Sequence, residues 1–136
     1  SAQGTGVILP LSNPMGRTPA ALTGPFSQAA AAVENLSRQL AAELGGSGIR
    51  VVCLRPTGMP DTARRPGSNV GRVWARAAER LGISMEQLLE MVAAGSLLER
   101  PLDVEELANV AALMASDRAS GVTGTVANVS CGAVAD

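Results

Sequence analysis

The chain has 136 residues, a formal net charge of −1 and a hydrophobic fraction of 46%, which suits one domain, or part of one, with an apolar core. This charge argues against a broad basic surface for nucleic acid, and no apolar run reaches the roughly 20 residues of a membrane helix. All 11 basic residues are arginine, and histidine and tyrosine are absent. With two cysteines and no histidine, we expect neither a disulfide framework nor a zinc site. No signal peptide is visible, so we expect a cytoplasmic protein.

The first predicted element is a short buried strand. An apolar run covers Val7 to Leu11, although Pro10 removes one donor from the strand ladder. Residues 14–25 are rich in proline, glycine and threonine and predict a loop. A long helix should follow from about residue 25 to 44, with apolar positions nearly all round it, which indicates burial on more than one side. Gly45 is expected to end it in the left-handed conformation.

A second buried strand is predicted from Ile49 to Leu54, followed by a helical excursion at residues 59–101. Within the excursion, residues 69–81 have a helical pattern. Ser84 and Gln87 have the spacing of a capping box, which predicts a further helix to about residue 94.

Residues 103–106 form a second capping box, which predicts a helix to about residue 115. A third strand is predicted from Thr125 to Val129. Strands joined by long helical connections must run parallel, and right-handed crossovers place the helices on the faces of the sheet. The predicted fold is α/β, with three parallel strands and flanking helices.

Two segments resemble the short-chain dehydrogenase/reductase family. The first is the alanine-rich helix at residues 29–44 with its glycine stop and the strand to Pro56. The second is the helix, turn and strand at residues 107–129. The resemblance covers nearly the whole chain and matches the C-terminal half of that family. It implies half of a doubly wound, Rossmann-like parallel sheet in a single part-domain, residues 1–136, and an NAD(P)-dependent oxidoreductase activity.

The resemblance also places the family's catalytic residues on this chain. The serine pair falls on Ser12 and Asn13, the tyrosine on Phe26 and the lysine on Ala30. A phenyl ring has no proton to donate and alanine cannot hold a ribose hydroxyl. We therefore expect a degenerate catalytic site.

The cofactor positions are reduced in a similar way. The family's loop at the nicotinamide end falls on Pro56, Thr57, Gly58 and Met59, which is either a surviving cofactor contact or a plain loop. No strand is followed by the glycine-rich phosphate loop that such folds use. NAD(P) is thus implied by the resemblance only, and none is expected for this chain alone.

Two functional hypotheses follow. One is a short-chain dehydrogenase/reductase-like oxidoreductase of which this chain is a part. The alternative is a non-catalytic structural or regulatory subunit, or a stable fragment, of the same fold. In either case we expect a second copy, or a polypeptide supplying the N-terminal half, to cover the open edge of the sheet.

Further candidates lie in the excursion. Asp61 could act as a base, or be a solvated loop carboxylate. Arg72, Arg76 and Arg80 share one helical face, which could form a lid over an acidic ligand or simply be solvated. Trp74 could be a ligand platform or a core anchor.

Overall fold

A computed structural model of the protein describes residues 4–18, 20–21 and 24–136. Three parallel strands form one sheet in the order β1–β2–β3. The strands are β1 (Gly6–Ile8), β2 (Ile49–Pro56) and β3 (Thr125–Val129). Helix α1 (Phe26–Leu44) connects β1 to β2. Four helices connect β2 to β3: α2 (Pro60–Ala63), α3 (Asn69–Leu81), α4 (Met85–Ala94) and α5 (Val104–Ala115). The predicted parallel α/β architecture is confirmed.

The first strand is shorter than predicted. Regular pairing ends at Ile8, and Leu11 then makes an isolated parallel bridge with Leu54. Pro10 is the physical reason, because a proline has no N–H to donate to the ladder. Its carbonyl still accepts from the backbone N–H of Leu54 at 2.8 Å. The chain therefore stays beside β2 as far as Ser12, which places that serine at the end of the sheet.

The core is centred on β2, the middle strand. Val51, Val52, Cys53 and Leu54 are at most 2% exposed. A central strand of a parallel sheet is covered on both faces, so it tolerates a continuous apolar run. The strand continues two residues beyond the predicted Leu54, through Arg55 to Pro56. Arg55 is thus a charged residue inside a buried strand.

Helix α1 covers one face of this strand. Its buried residues are Ala30, Glu34 and Ser37, whereas Leu36 on another face is 55% exposed. The prediction for Gly45 was wrong, because this residue is right-handed at φ −58° and begins a 3-10 turn. Gly48 takes the left-handed conformation at φ 73° instead, because the chain makes one more tight turn before β2.

The excursion after β2 is helical, with α3 and α4 at the predicted bounds. Both predicted capping boxes are present, at Ser84 with Gln87 and at Asp103 with Glu106. The short helix α2 was not predicted, because four residues around a proline carry too little periodicity to be recognised. In the described part of the chain, no helix has the length and hydropathy needed to cross a membrane.

Candidate functional site at the carboxyl edge of the sheet

The carboxyl ends of the three strands meet around one group of charged side chains. Ser12 follows β1, Arg55 lies one residue before the end of β2, and Asp136 lies beyond β3. Glu34 projects towards them from α1. In open parallel sheets, ligands bind in the crevice outside the carboxyl ends of the strands. This edge is therefore the candidate functional site, and we call these four residues the carboxyl-edge cluster.

A buried ion pair forms the centre of the cluster. Arg55 is 3% exposed and Glu34 is 4% exposed. Arg55 Nε donates to Glu34 Oε1 at 2.7 Å, and Nη2 donates to Oε2 at 3.0 Å. This two-pronged arrangement fixes both side chains, since the guanidinium is planar and matches a carboxylate. The β2 strand and α1 are thereby joined by a charged contact.

The remaining nitrogen of Arg55 binds the segment after β3. Nη1 donates to both carboxylate oxygens of Asp136, at 2.6 and 2.8 Å. Arg17 Nε lies 3.8 Å from Asp136 Oδ1. Asn128 donates its side-chain N–H to the carbonyl of Val134 at 2.6 Å, and Val134 is buried. Residues 130–136 are thus held across the carboxyl edge.

These contacts shift both central groups towards their charged forms. The hydrogen bonds from Arg55 lower the pKa of the Glu34 carboxyl below its ordinary 4.5, against the opposing effect of burial. Ser12 and the charge of Arg38 act in the same direction on Glu34. Glu34 in turn raises the pKa of Arg55. The pair is therefore ionised at neutral pH, with its burial offset by close hydrogen bonding.

The two residues at the expected serine positions are both engaged within the chain. The Ser12 hydroxyl donates to Glu34 Oε1 at 2.9 Å. The Asn13 side-chain oxygen accepts from the backbone N–H of Met15 at 3.0 Å and caps the 3-10 turn Pro14–Gly16. Ser12 therefore belongs to the carboxyl-edge cluster, whereas Asn13 has a local structural role.

Phe26 and Ala30, at the expected tyrosine and lysine positions, lie on the same face of α1 as Glu34. Their spacing of four residues places all three in a row along the helix. Phe26 is half-buried and Ala30 is 3% exposed. A Cβ built on Gly16 would lie 3.0 Å from the Ala30 Cβ. Because the loop packs so closely on Ala30, a long side chain at this position would have to displace it.

The loop at the expected cofactor positions lies under the excursion. Pro56 and Thr57 are buried, and the Thr57 N–H points to the Val129 carbonyl at 3.4 Å. A Cβ built on Gly58 would lie 2.0 Å from the Trp74 ring, so the indole rests directly on this glycine. Met59 begins α2 by accepting from Thr62 and Ala63. The carboxyl end of β2 is thereby covered by α3.

The space between this loop and the excursion is small. A partly open cavity of about 10 Å³ lies among Thr57, Gly58, Trp74 and Ser96, which is about the room of one water molecule. A larger open groove of about 440 Å³ runs past Leu97, Leu98 and Cys131. Trp74 therefore acts here as a packing anchor for α3.

The charged residues of the excursion that the sequence singled out have surroundings outside the carboxyl-edge cluster. Asp61 is exposed, and Arg72 donates to Asn69 on its own helix. Glu86 pairs with Arg64, at 2.5 Å between Nη2 and Oε2. Within residues 4–18, 20–21 and 24–136, no group of three or more His, Cys, Asp or Glu side chains is placed to hold a metal ion.

Sequence reasoning missed Glu34, Arg55 and Asp136. One signal was available, because Arg55 interrupts an apolar strand and a charge in such a place needs a partner. The partner itself was not readable, since Glu34 lies 21 residues away and Asp136 lies 81 residues away.

The chain is similar in sequence and in structure to known proteins. Residues 2–134 match the family model described as enoyl-(acyl carrier protein) reductase. The chain belongs to the short-chain dehydrogenase/reductase family. This membership agrees with the parallel Rossmann-like sheet of the structure.

Two curated relatives are similar to the chain in sequence. The chain is 36% identical over 132 residues to cis-4-hydroxycyclohexanecarboxylate dehydrogenase of Sinomonas cyclohexanicum. This alignment covers 97% of the chain and 46% of the relative. It is 40% identical over 95 residues to secoisolariciresinol dehydrogenase of Forsythia intermedia, in an alignment that covers 68% of the chain and 30% of the relative. The chain thus spans less than half the length of these two dehydrogenases.

Solved structures give the same picture. Sorbitol-6-phosphate 2-dehydrogenase of Erwinia amylovora superposes with a TM-score of 0.83 at 26% identity, over 99% of this chain and 51% of that one. The actinorhodin polyketide ketoreductase, solved with NADPH, superposes with a TM-score of 0.82 at 23% identity, over 97% of this chain and 48% of that one. The second likeness is one of fold alone.

Proposed function

We propose that this chain is the C-terminal part of an NAD(P)-dependent oxidoreductase of the short-chain dehydrogenase/reductase family, and that it has no nicotinamide-dependent activity by itself. The observation that carries the proposal is the match to this family along residues 2–134. The alignment with the Sinomonas dehydrogenase includes 97% of this chain but only 46% of that enzyme. A segment that continues the sheet beyond β1 would supply the dinucleotide site.

The described residues do not fit a nicotinamide cofactor. Ala30 and Phe26 offer no polar hydrogen, and the face of Gly58 is taken by Trp74. Buried side-chain nitrogen and oxygen atoms of the described residues all have hydrogen-bond partners, so none of them is an unpaired donor or acceptor for the dinucleotide. We therefore assign dinucleotide binding to the segment beyond β1, where the Gly-rich loop of such folds is found.

A second candidate function is a non-catalytic subunit of the same fold. The close packing of Gly16 on Ala30 supports it, because a lysine at the position that the resemblance assigns to the family's lysine would collide with this loop. In this case the chain would serve assembly through β1 and α1.

The first test assays the purified chain with a panel of alcohols and ketones and with NAD(H) or NADP(H). We expect no turnover. The double variant Phe26→Tyr with Ala30→Lys should also be inactive, because it restores two side chains but no dinucleotide site. Turnover by the chain alone that is lost when Thr57 and Gly58 are changed would contradict the proposal.

A second measurement separates the two candidates. The intact mass of the polypeptide in its source is determined, together with NADPH binding by that polypeptide. A mass well above 13.8 kDa and saturable NADPH binding would support the oxidoreductase. A 13.8 kDa polypeptide without NADPH binding, copurifying with a second copy or another chain, would support the subunit.

A further inference from the structure

One nitrogen of the Arg55 guanidinium, Nη1, is not hydrogen-bonded to Glu34 of α1. Glu34 takes Nε and Nη2, so Nη1 is left pointing away from α1. This nitrogen donates to both oxygens of Asp136. Arg17 approaches the same carboxylate from the loop after β1, at 3.8 Å. Two arginines from separate elements thus converge on one carboxylate.

We propose that Arg55 and Arg17 form a binding site for a small carboxylate ligand, and that Asp136 occupies this site from within the chain. The site lies at the carboxyl edge of a parallel sheet, where this class of fold binds its ligands. The inference is independent of the proposed oxidoreductase function, because carboxylate binding at Arg55 requires no dinucleotide.

The Arg55 side chain is held in place by its surroundings, whereas the Asp136 carboxylate is accessible enough to be replaced by a ligand. The Arg55 side chain is 3% exposed and is fixed by Glu34, but the Asp136 side chain is 43% exposed. Residues 130–134 are anchored by the buried Val134 and by its hydrogen bond from Asn128. Ala135 and Asp136 are exposed beyond that anchor. The half-exposed Asp136 side chain must move for an external carboxylate to reach Nη1.

The charge balance favours a ligand anion once Asp136 leaves. Five charged groups are connected by ion pairs at the site, namely Arg17, Arg38, Arg55, Glu34 and Asp136. Three are positive and two are negative, so the balance is +1 with Asp136 in place and +2 without it. A buried cation that lacks part of its compensation is costly, and hydrogen bonds between charged partners are the strong ones. A carboxylate reproduces the contacts that Asp136 makes.

The test uses acetate as the probe and the variant Asp136→Asn. Acetate is titrated at constant ionic strength while the Arg55 Nε–H and Val134 backbone amide signals are followed by NMR. In the wild type, the apparent affinity is reduced by the fraction of chains with the site open. A tethered carboxylate acts at an effective concentration of about a millimolar or more. We expect acetate to bind Asp136→Asn about tenfold more tightly than the wild type.

Three variants test the composition of the site, and two of them are matched controls. Asp117→Asn removes an exposed aspartate that has no ion pair with Arg55 or Arg17 and should leave acetate binding unchanged. In the Asp136→Asn background, Arg17→Gln should weaken acetate binding several-fold, whereas Arg118→Gln, at another exposed arginine, should not.

Equal acetate affinity for wild type and a folded Asp136→Asn would overturn the proposal, and so would an Arg55 signal that does not move at saturation. If Asp136→Asn fails to fold, the wild type decides the question. Acetate should then shift the Arg55 and Asp136 signals together and leave Asp117 in place. Wild-type spectra without that paired shift would equally overturn it.

Discussion

Arg55 places a positive charge where β2 packs against α1. Its hydrogen-bond partners explain how a buried apolar strand can contain an arginine. Glu34 binds two of its nitrogens and Asp136 binds the third. A buried pair of this kind adds little net stability, because removing two charges from water costs about as much as their attraction returns. Breaking the pair is destabilising, since removal of Glu34 leaves the buried Arg55 with only the half-exposed Asp136 as its counter-ion.

The first prediction concerns Glu34→Gln. The amide keeps the shape of the side chain but removes the charge that faces Arg55, so we expect a loss of about 3–5 kcal/mol in the free energy of unfolding. Urea denaturation followed by circular dichroism measures it. Glu86→Gln is the matched control, because its pair with Arg64 is exposed and should contribute little. Equal effects of the two changes would contradict the structural role of the buried pair.

The same carboxylate predicts how stability depends on pH. The pKa of Glu34 is lower in the folded chain than its ordinary 4.5, so the unfolded chain binds the proton more readily. The stabilisation is therefore present above about pH 4.5 and is lost as the pH falls through the folded pKa. Arg55 stays protonated throughout and adds no slope in this range.

Urea midpoints measured between about pH 6 and pH 2 should fall in the wild type, and Glu34→Gln should flatten that decline. Arg100 holds the pKa of Glu106 to about 2, and Glu106→Gln serves as the comparison. Because that second pair is exposed, added salt should screen its effect. A wild-type slope unchanged by Glu34→Gln would show that the acid transition has another origin.

At the scale of elements, the excursion packs against the loop after β2 through the Trp74 ring. Trp74 of α3 lies against Gly58, at a distance that leaves no room for a side chain. Ser68 caps α3 and Ser84 caps α4, so each helix begins on local hydrogen bonds. The position of α3 against the loop depends on packing, to which the indole of Trp74 contributes a large apolar surface.

The corresponding prediction is that Gly58→Ala displaces Trp74. Since the added Cβ would lie 2.0 Å from the ring, either the indole or the loop must move. Overpacking of this kind costs about 1–3 kcal/mol. We expect a lower urea midpoint and a red shift of Trp74 fluorescence.

Gly45→Ala provides the matched control for this glycine. Gly45 has φ −58°, and a Cβ built there meets nothing within 4 Å. Alanine at a compatible position is neutral or stabilising, because it restricts the unfolded chain. Unchanged Trp74 emission in Gly58→Ala would show that the loop, and not the indole, gives way.

At the scale of the whole molecule, β1 pairs with β2 alone in the part of the chain that the structure describes, so its other edge is open there. Ile8 and Leu11 near this edge are 37% and 58% exposed, and Leu36 on α1 is 55% exposed. Unpaired edges and surplus apolar faces favour association. We propose that these surfaces are covered in the functional assembly, either by a second copy or by the segment that continues the sheet.

The prediction at this scale uses Leu36→Asp. Because Leu36 is exposed in the single chain, the change should leave the thermal transition nearly unaltered while it disrupts assembly. Leu81→Asp on α3 is the control, at a leucine 52% exposed on a different surface. Light scattering measures the mass of each variant at micromolar concentration. A wild-type mass of 13.8 kDa with a cooperative thermal transition would refute the association argument.

The sequence by itself determined the features that depend on neighbouring residues. Apolar runs predicted the strands, and both capping boxes predicted where α4 and α5 begin, because these signals lie within four residues of one another. The parallel arrangement followed from the length of the connections. Gly45 is the local exception, since two further glycines offered equally suitable places for the left-handed turn.

Only the tertiary structure decided the carboxyl-edge cluster. Ser12, Glu34, Arg55 and Asp136 come from four separate parts of the chain, and no pattern of spacing relates them. The residues that family resemblance singled out have separate local contacts here: Asn13 caps a turn and Ala30 packs on Gly16. A buried charge requires a partner, but which carboxylate meets it depends on how the strands and α1 pack, and that is a property of the folded molecule.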